Sequence, residues 1–131
     1  MQGSRRDDGV DDQSYRQQIA SLLRRCLPGV EILDPWELFP DSPTYTDERG
    51  KQVFISMCEA AATVDALVAY VPTASMGTAV EMWQAYRAGV PVYCISPLAA
   101  NWVVRFLSRQ VFPSLAAFET FVAEGGLDHK E

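Results

Sequence analysis

The sequence predicts an α/β fold: a doubly wound parallel sheet of four to five strands, with helices on both faces and a shortened first strand. Apolar residues recur at helical spacing in several segments, and short apolar runs separate those segments as strands would. The run ALVAYV at residues 66–71 is wholly apolar apart from its tyrosine hydroxyl, which is typical of a strand covered on both faces. With 131 residues and 48% hydrophobic content, the chain is expected to form one domain spanning residues 1–131.

The first half of the chain alternates helix, strand and loop. A helix is predicted over residues 12–27, where Pro28-Gly29 ends it, and a short strand over residues 30–33. Residues 34–50 have no clear period, so a long loop is predicted there, and loops of that length are often functional. A helix over residues 51–63 then leads into the strand at 66–71.

The second half continues the same alternation. A helix is predicted over residues 77–88, with Gly89 as its C-terminal cap, followed by an apolar strand over residues 91–96. The chain is expected to finish with helices over residues 101–109 and 114–123 and a short edge strand around Val111.

One strand of the predicted order has almost no sequence to form it. The pattern needs a strand before the first helix, and only Met1, Gln2 and Gly3 precede the charged run that follows. Either the first strand is a stub, or the sequence begins inside it.

Composition limits the classes of function. The net charge of −6 disfavours nonspecific binding to nucleic acid, although local donors could hold a small anion. The three cysteines are far apart and lack metal-ligand spacing, which favours a reduced, cytoplasmic protein without a metal. No apolar stretch approaches the length of a membrane span, so no membrane partner is expected.

A carboxylate, Glu81, is predicted in the first turn of the helix that follows the strand at 66–71. Open α/β sheets bind ligands at such junctions, and Gly77 would let the backbone turn tightly there. Thr78 can cap the helix, and it also forms with Glu81 the capping box TxxE, which requires no function. The spacing alone leaves both interpretations open.

The first residues offer a candidate phosphate loop. Ser4, Arg6 and free backbone N–H groups would lie at the end of the stub strand, where they could bind a phosphate. The alternative is a solvated, charged terminus composed of Arg5, Arg6, Asp7 and Asp8.

Two blocks of sequence carry a family resemblance. GSRRDDGVDDQSYRQQIASLLRR, with its GSxR loop and a helix bearing Tyr15, resembles the opening of the 2'-deoxynucleoside 5'-monophosphate N-glycosidases. DALVAYVPTASMGTAVEMWQAYRAGVPV resembles the same family and the related nucleoside 2-deoxyribosyltransferases, in the order Asp, apolar strand, SxGxxxE and GxPV. The resemblance covers roughly residues 3–96, and the region between the two blocks is weak. The two motifs together, in this order, are more specific than either alone.

The resemblance implies a nucleotide N-glycosidase that needs no cofactor. Glu81 matches the glutamate that attacks the anomeric carbon of the sugar, a role that suits a carboxylate because the transition state resembles an oxocarbenium ion. Ser75 matches the serine that binds the 5'-phosphate, where the deoxyribosyltransferases typically carry an aspartate. The match therefore favours a nucleoside 5'-monophosphate as the substrate over a nucleoside. Ser4 and Arg6 match further phosphate contacts, and Gly77 would let the backbone approach the ligand.

The sequence departs from the family pattern at the catalytic acid. The family has an aspartate eight residues before the position of Asp65, and this chain has Met57 there. Glu59 is about 200° around a helix from Met57 and is no obvious replacement. Asp65 is the second candidate for a catalytic carboxylate, although an aspartate at the start of a buried strand also commonly binds neighbouring backbone groups. Other acids on the predicted loop, among which nothing selects, are Asp34, Glu37, Asp41 and Asp47.

Further candidates depend on position alone. Trp36 and Phe39 could stack on a base or belong to the core. Trp83 and Tyr86 are expected to pack between helices or subunits. Family members are homodimers with shared active sites, which makes Asn101 a candidate sugar or phosphate ligand. Two other functions stay open: a nucleoside 2-deoxyribosyltransferase, and a noncatalytic nucleotide-binding or sensing module.

Overall fold

The computed structural model describes residues 6–33 and 46–127, with side chains from Ser14 onward. In these ranges the chain is mixed α/β, with a three-stranded parallel sheet and five helices. The elements in chain order are α1 (Arg6–Cys26), α2 (Asp47–Ala61), β1 (Leu67–Tyr70), α3 (Met76–Arg87), β2 (Val92–Ile95), α4 (Trp102–Leu107), β3 (Gln110–Phe112) and α5 (Leu115–Ala123).

Strand β2 is the centre of the sheet. The strand order is β1-β2-β3, with Leu67 opposite Val92 in the first pair and Tyr93 opposite Gln110 in the second. All four residues of β2 are buried, because its side chains alternate between two helical layers. Cys94 contacts the core beneath α2, α3 and α4, and Ile95 contacts the core beneath α1 and α5.

Each helical layer has its own apolar core. The first layer packs Ala61, Met82, Ala85 and Val104 against the sheet, and it is completed by Ala69, Val71, Val90, Val92 and Cys94. The second layer packs Ile19, Leu22 and Leu23 of α1, with Phe118 and Val122 of α5, against Tyr93, Ile95 and Phe112. Helices therefore cover both faces of the sheet, as the apolar strands indicated.

The carboxyl edge of the sheet is fixed by one buried hydroxyl. Ser96, which is 1% exposed, donates from Oγ to the carbonyl oxygen of Val71 at 2.6 Å. The Ser96 Oγ in turn accepts the Leu98 N–H at 3.0 Å. The hydroxyl thus joins the segment after β1 to the segment after β2, directly beside the turn that leads into α3.

Several helices and strands differ from their predicted bounds. Residues 30–33 do not form a strand, and within the described ranges the sheet has three strands instead of four to five. The predicted loop at 34–50 ends earlier, because Thr46 caps α2 by accepting the Arg49 N–H and the helix begins at Asp47. Helix α1 begins at Arg6, upstream of the predicted start, and α4 ends at Leu107.

Other predicted boundaries are confirmed. Gly89 follows the end of α3 with φ of +81°, and Gly29 follows α1 with φ of +83°, a backbone conformation that favours glycine. Strand β3 contains Val111 and pairs in parallel with β2 at the sheet edge. The stub strand, the loop residues Trp36 and Phe39, and the acids Asp34, Glu37 and Asp41 lie outside the described residues.

Replacing Ser96 by alanine is expected to destabilise the domain by about 1–3 kcal/mol, because the Val71 carbonyl and the Leu98 N–H would lose a buried partner. Chemical denaturation of Ser96→Ala beside the wild type measures this. Ser21→Ala, a change at an exposed position of α1, is the control and should be neutral within about 0.5 kcal/mol. Equal stability of Ser96→Ala and wild type would contradict the role of the hydroxyl.

Candidate functional site

The turn between β1 and α3 ends at Ser75, which caps the helix. The Ser75 Oγ accepts the Thr78 N–H at 3.3 Å and donates to the Thr78 Oγ1 at 3.2 Å. The predicted cap at Thr78 is therefore wrong, as is the TxxE capping box, because Thr78 lies inside the helix. Gly77 is the second helical residue, so the tight turn is made before it and not at it.

Glu81 lies in the second turn of α3, one turn further along than predicted. It is half-buried, and it lies one turn before Ala85, whose exposed fraction is 0%. Residues four apart share a helix face, so Glu81 belongs to the face that packs inward. Glu81 does not cap the helix, and its carboxylate is partly removed from water. Burial of an ionised group costs free energy unless it is compensated, so the position of Glu81 needs an explanation other than capping.

The electrostatic environment of Glu81 includes a cation from α1. Burial raises the pKa of Glu81 above its ordinary value of 4.5, and the positive charge of Arg16 opposes that rise. Arg16 is half-buried, and the neighbouring Tyr15 ring stacks on the ring of Tyr70 with centroids 4.2 Å apart. The stack holds this part of α1 against the carboxyl end of β1, the strand that leads into Ser75 and α3.

A thiol from α2 is near enough to the same carboxylate to feel its charge. Cys58 is buried, and its pKa is raised by burial first and then by the negative charges of Glu81 and Glu59. Met57, at the position where the resembling family has its acid, is half-buried beside it. The position therefore carries an apolar side chain, and the adjacent thiol is held in its neutral form.

The second predicted carboxylate is far from the first. Asp65 is exposed and precedes β1, whereas Ser75 follows that strand and Glu81 belongs to the helix that starts there. Asp65 and Tyr70 are five positions apart along the chain, a length of about 16 Å when extended. The structure thus puts Asp65 at the amino edge of the sheet, away from Ser75 at the carboxyl edge.

Asn101 serves as the N-terminal cap of α4. Its Oδ1 accepts the N–H groups of Val103 at 2.9 Å and Val104 at 3.2 Å. The residue lies after β2 and so at the same edge of the sheet as Ser75, but this oxygen is already engaged. Ser4 lies outside the described residues, as does the side chain of Arg6, the first residue of α1.

The structure therefore assembles Ser75, Gly77 and Glu81 with Arg16, Tyr15, Tyr70 and Cys58. Sequence reasoning did not propose Arg16 or Cys58 for the site. The position of Arg16 directly after Tyr15 was the signal available in the sequence, but only the packing of α1 beside β1 brings the charge of Arg16 to Glu81. The sequence gives no signal that Cys58 belongs to the site, because Cys58 is on α2 and Glu81 is on α3.

The described residues contain neither a cluster of metal ligands nor a membrane-spanning helix. No cluster of three or more His, Cys, Asp or Glu side chains suited to a metal occurs among the described residues. Within the same ranges, no helix is long and apolar enough to cross a bilayer. An open groove of about 360 Å³ does lie between α1 and α5, and the residues that line it, which include Gln18, Arg25 and Glu119, do not include Glu81.

Comparison of the chain with protein-family models, with curated proteins and with solved structures gives no match. The case for a function therefore comes from the motifs in the sequence and from the site geometry.

Glu81→Gln is expected to raise stability at pH 7. Burial raises the pKa of Glu81 in the folded state, so its stabilising contribution is present below the unfolded pKa and lost as pH rises through the folded pKa. The glutamine variant does not titrate, so its advantage should shrink as pH falls towards the ordinary value of 4.5. Denaturation at several pH values measures this, with exposed Glu59→Gln as the control. A less stable Glu81→Gln at pH 7 would show that the ionised carboxylate is well compensated.

Arg16→Gln is expected to raise the pKa of Glu81 further, because it removes the opposing charge. Carbon-13 NMR of the glutamate carboxyl groups across a pH titration measures this without any substrate. Arg16→Lys should restore much of the lower pKa, and exposed Arg24→Gln on the same helix should leave it unchanged. If Arg16→Gln leaves the Glu81 titration unchanged, the two groups do not interact.

Proposed function

We propose that the chain is an N-glycosidase that hydrolyses the N-glycosidic bond of a nucleoside 5'-monophosphate, with Glu81 as the nucleophile. The observation that carries the proposal is the position of Glu81: half-buried on the inner face of α3, in the field of Arg16 and without a capping role. A structural carboxylate would be expected on the exposed face or at the cap.

The proposed reaction has two steps. A Glu81 carboxylate oxygen attacks C1' of the sugar, the bond from C1' to the base nitrogen breaks, and the base leaves with the bonding electrons and is then protonated. Water then attacks C1', the bond from C1' to the Glu81 oxygen breaks with its electrons returning to the carboxylate, and the proton lost by the water balances the one taken up by the base. Arg16 supports the first step because it favours the ionised form of Glu81, the form that acts as nucleophile.

The start of α3 is the proposed site for the 5'-phosphate. Its first turn contains no acidic residue, and helix N-termini favour anions through free N–H groups and the helix dipole. The Ser75 hydroxyl, which now donates to Thr78 Oγ1, could donate instead to a phosphate oxygen after rotation about one bond. In the proposal Ser4 and Arg6 add further phosphate contacts, and Gly77 lets the ligand approach the backbone.

The wider setting of this site follows the resemblance. We include in the proposal a doubly wound sheet of four to five strands, in which a further strand pairs with β1 at the edge that β2 leaves unpaired. We also propose a cytoplasmic location, in keeping with a nucleotide substrate and with the free thiols of Cys26, Cys58 and Cys94.

A noncatalytic nucleotide-binding module is the second candidate. The absence of the expected catalytic acid favours it. The departing base needs a proton, yet Met57 replaces the expected acid and Asp65 lies at the other edge of the sheet. Cys58 does not fill the place of a strong acid, because its pKa is raised. Such a module would bind the phosphate at α3 and leave the glycosidic bond intact.

The protein is expected to release free base from one or more ribo- or deoxyribonucleoside 5'-monophosphates. Chromatography of the reaction mixture measures the free base. Glu81→Gln should abolish release, because it removes the nucleophile while keeping the shape of the side chain. Glu59→Gln, at an exposed position of α2, should release base at the wild-type rate.

Two outcomes would reject the glycosidase. One is no release from any of the nucleotides, and the other is equal release by Glu81→Gln. Calorimetry on the same nucleotides then distinguishes the candidates, since binding without turnover is the expected behaviour of the module. Addition of a second free base would give a new nucleotide or nucleoside if a transferase resolved the intermediate.

A further inference from the structure

The inward face of α2 carries no carboxyl group. Helix α2 contacts α3, and its less exposed positions recur at helical spacing as Val53, Met57 and Ala61, with the buried Cys58 beside Met57. The acids of the same helix are all exposed, and they are Asp47, Glu48 and Glu59. Among the Asp and Glu side chains that the structure describes, Glu81 is the only one that is not exposed. Toward the inside of this layer, α2 therefore presents apolar groups and one thiol.

The other groups around Glu81 are poor proton donors. Arg16 carries a guanidinium group, which keeps its proton in proteins. The stacked rings of Tyr15 and Tyr70 carry phenol groups, which are weaker acids than the carboxylic acids that serve most glycosidases. Asp65 precedes β1, at the edge of the sheet opposite the start of α3. In the described part of the chain, no second carboxylic acid is therefore placed to protonate a departing base.

This arrangement limits the bases that can leave. When the bond from C1' to a neutral base breaks, the base takes both bonding electrons and becomes an anion unless a proton reaches it. General acid catalysis contributes roughly 10²–10⁴-fold to the rate of such a step. A base that already carries a positive charge leaves as a neutral molecule and needs no proton donor. A base that forms a stable anion also needs none.

The charges near Cys58 favour the cationic base over the anionic leaving group. Burial raises the pKa of Cys58, and the negative charges of Glu81 and Glu59 raise it further. A base lying against this part of α2 is subject to the same negative potential. Between the free enzyme and the transition state, that potential attracts a base that is still partly positive and repels one that becomes partly negative. The positive charge of Arg16 acts on Glu81 from α1, a different helix.

We propose that the substrate of the Glu81 site is a nucleoside 5'-monophosphate whose base carries a positive charge, of which a purine alkylated at N7 is the simplest example. The inference rests on the proposed glycosidase and names the class of its substrate. In this proposal the absence of an acid on the inward face of α2 determines specificity and does not prevent catalysis.

The bonds and charges of the reaction balance without a proton donor. A carboxylate oxygen of Glu81 attacks C1' while the bond from C1' to N9 breaks, and the two bonding electrons neutralise the charge of the alkylated ring. The base leaves as a neutral alkylpurine, and the sugar phosphate is held on Glu81 as an ester. Water then attacks C1', the bond from C1' to the Glu81 oxygen breaks with its electrons returning to the carboxylate, and the proton of the water passes to solvent.

Met57 is the specificity-determining position. It is half-buried on the inward face of α2 next to Cys58. Its thioether is apolar and polarisable, it makes favourable contacts with aromatic rings, and it has no proton to give. A carboxylic acid at this position would serve a neutral base, whereas methionine offers only a contact surface.

Release of 7-methylguanine from 7-methylguanosine 5'-monophosphate, compared with release of guanine from guanosine 5'-monophosphate, tests the proposal. The ribonucleotides and deoxyribonucleotides are assayed in slightly acidic buffer, where the alkylated ring keeps its charge, and spontaneous release without protein is subtracted. For the wild type, kcat/KM is expected to be at least about 100-fold higher for the alkylated nucleotide, because the unmodified base lacks a proton donor. Glu81→Gln should release neither base above the spontaneous rate.

Two substitutions at one position isolate the effect of an acid. Met57→Asp supplies a carboxyl group on the inward face of α2 and should raise release from the unmodified nucleotide by about 10-fold or more, so that the ratio of the two kcat/KM values falls. Met57→Asn has nearly the same shape without an acid and should keep the wild-type ratio. Ile55→Asp, at an exposed position of α2, should also keep it. Circular dichroism of each variant checks that the fold is retained, and the comparison of substrates on the wild type needs no variant.

The outcomes distinguish this proposal from the glycosidase itself. Similar kcat/KM values for the two nucleotides, both lost in Glu81→Gln, would retain the glycosidase and overturn the preference, since a proton donor would then serve the base. An equal ratio in folded Met57→Asp and Met57→Asn would overturn the assignment of the preference to α2. Release from neither nucleotide above the spontaneous rate, or equal release by Glu81→Gln, would reject the glycosidase and this proposal with it.

Discussion

Burial of β2 on both of its faces is the constraint on which the rest of the structure depends. Because Val92 and Cys94 enter one core while Tyr93 and Ile95 enter the other, both helical layers must pack on the same strand. Parallel pairing with β1 and β3 then brings the carboxyl ends of all three strands to one edge. The Ser96 hydroxyl fixes that edge by joining the segments that leave β1 and β2.

The candidate site uses this edge through α3. Ser75 ends the turn and caps the helix. Glu81 follows on the inward face of the helix, where it is half-buried and only partly in contact with water. Burial raises the pKa of Glu81, and the charge of Arg16 opposes that rise. Arg16 belongs to α1, the helix that the Tyr15–Tyr70 stack holds beside β1. One helix therefore has two unusual faces: an ionisable group directed inward, and an aromatic surface directed outward. The first costs stability and the second costs exposure of apolar area, so each calls for a ligand or partner to offset it.

Local sequence signals located most of the helices and strands correctly. The apolar runs around 66–71 and 91–96 became β1 and β2, and Gly29 and Gly89 end their helices with positive φ, since these features depend on neighbouring residues only. The sequence of residues 30–33 predicts a strand, yet a strand requires a hydrogen-bonded partner, which no local pattern can supply. The cap at Ser75 was missed because Thr78 offered an equally good local motif, and only the path of the turn selects between them.

The sequence by itself determined the alternation of helices and apolar strands, the single carboxylate of α3 and the serine six residues before it. It also determined the absence of an acid at Met57. Only the tertiary structure decided which charges meet: it brought Arg16 and Cys58 to Glu81 and separated Asp65 by the length of a strand. It also decided that the aromatic side chains of α3 and α4 lie outside the core. The physical reason is that spacing along a chain specifies which face of an element a side chain occupies, whereas packing between distant elements determines what that face meets.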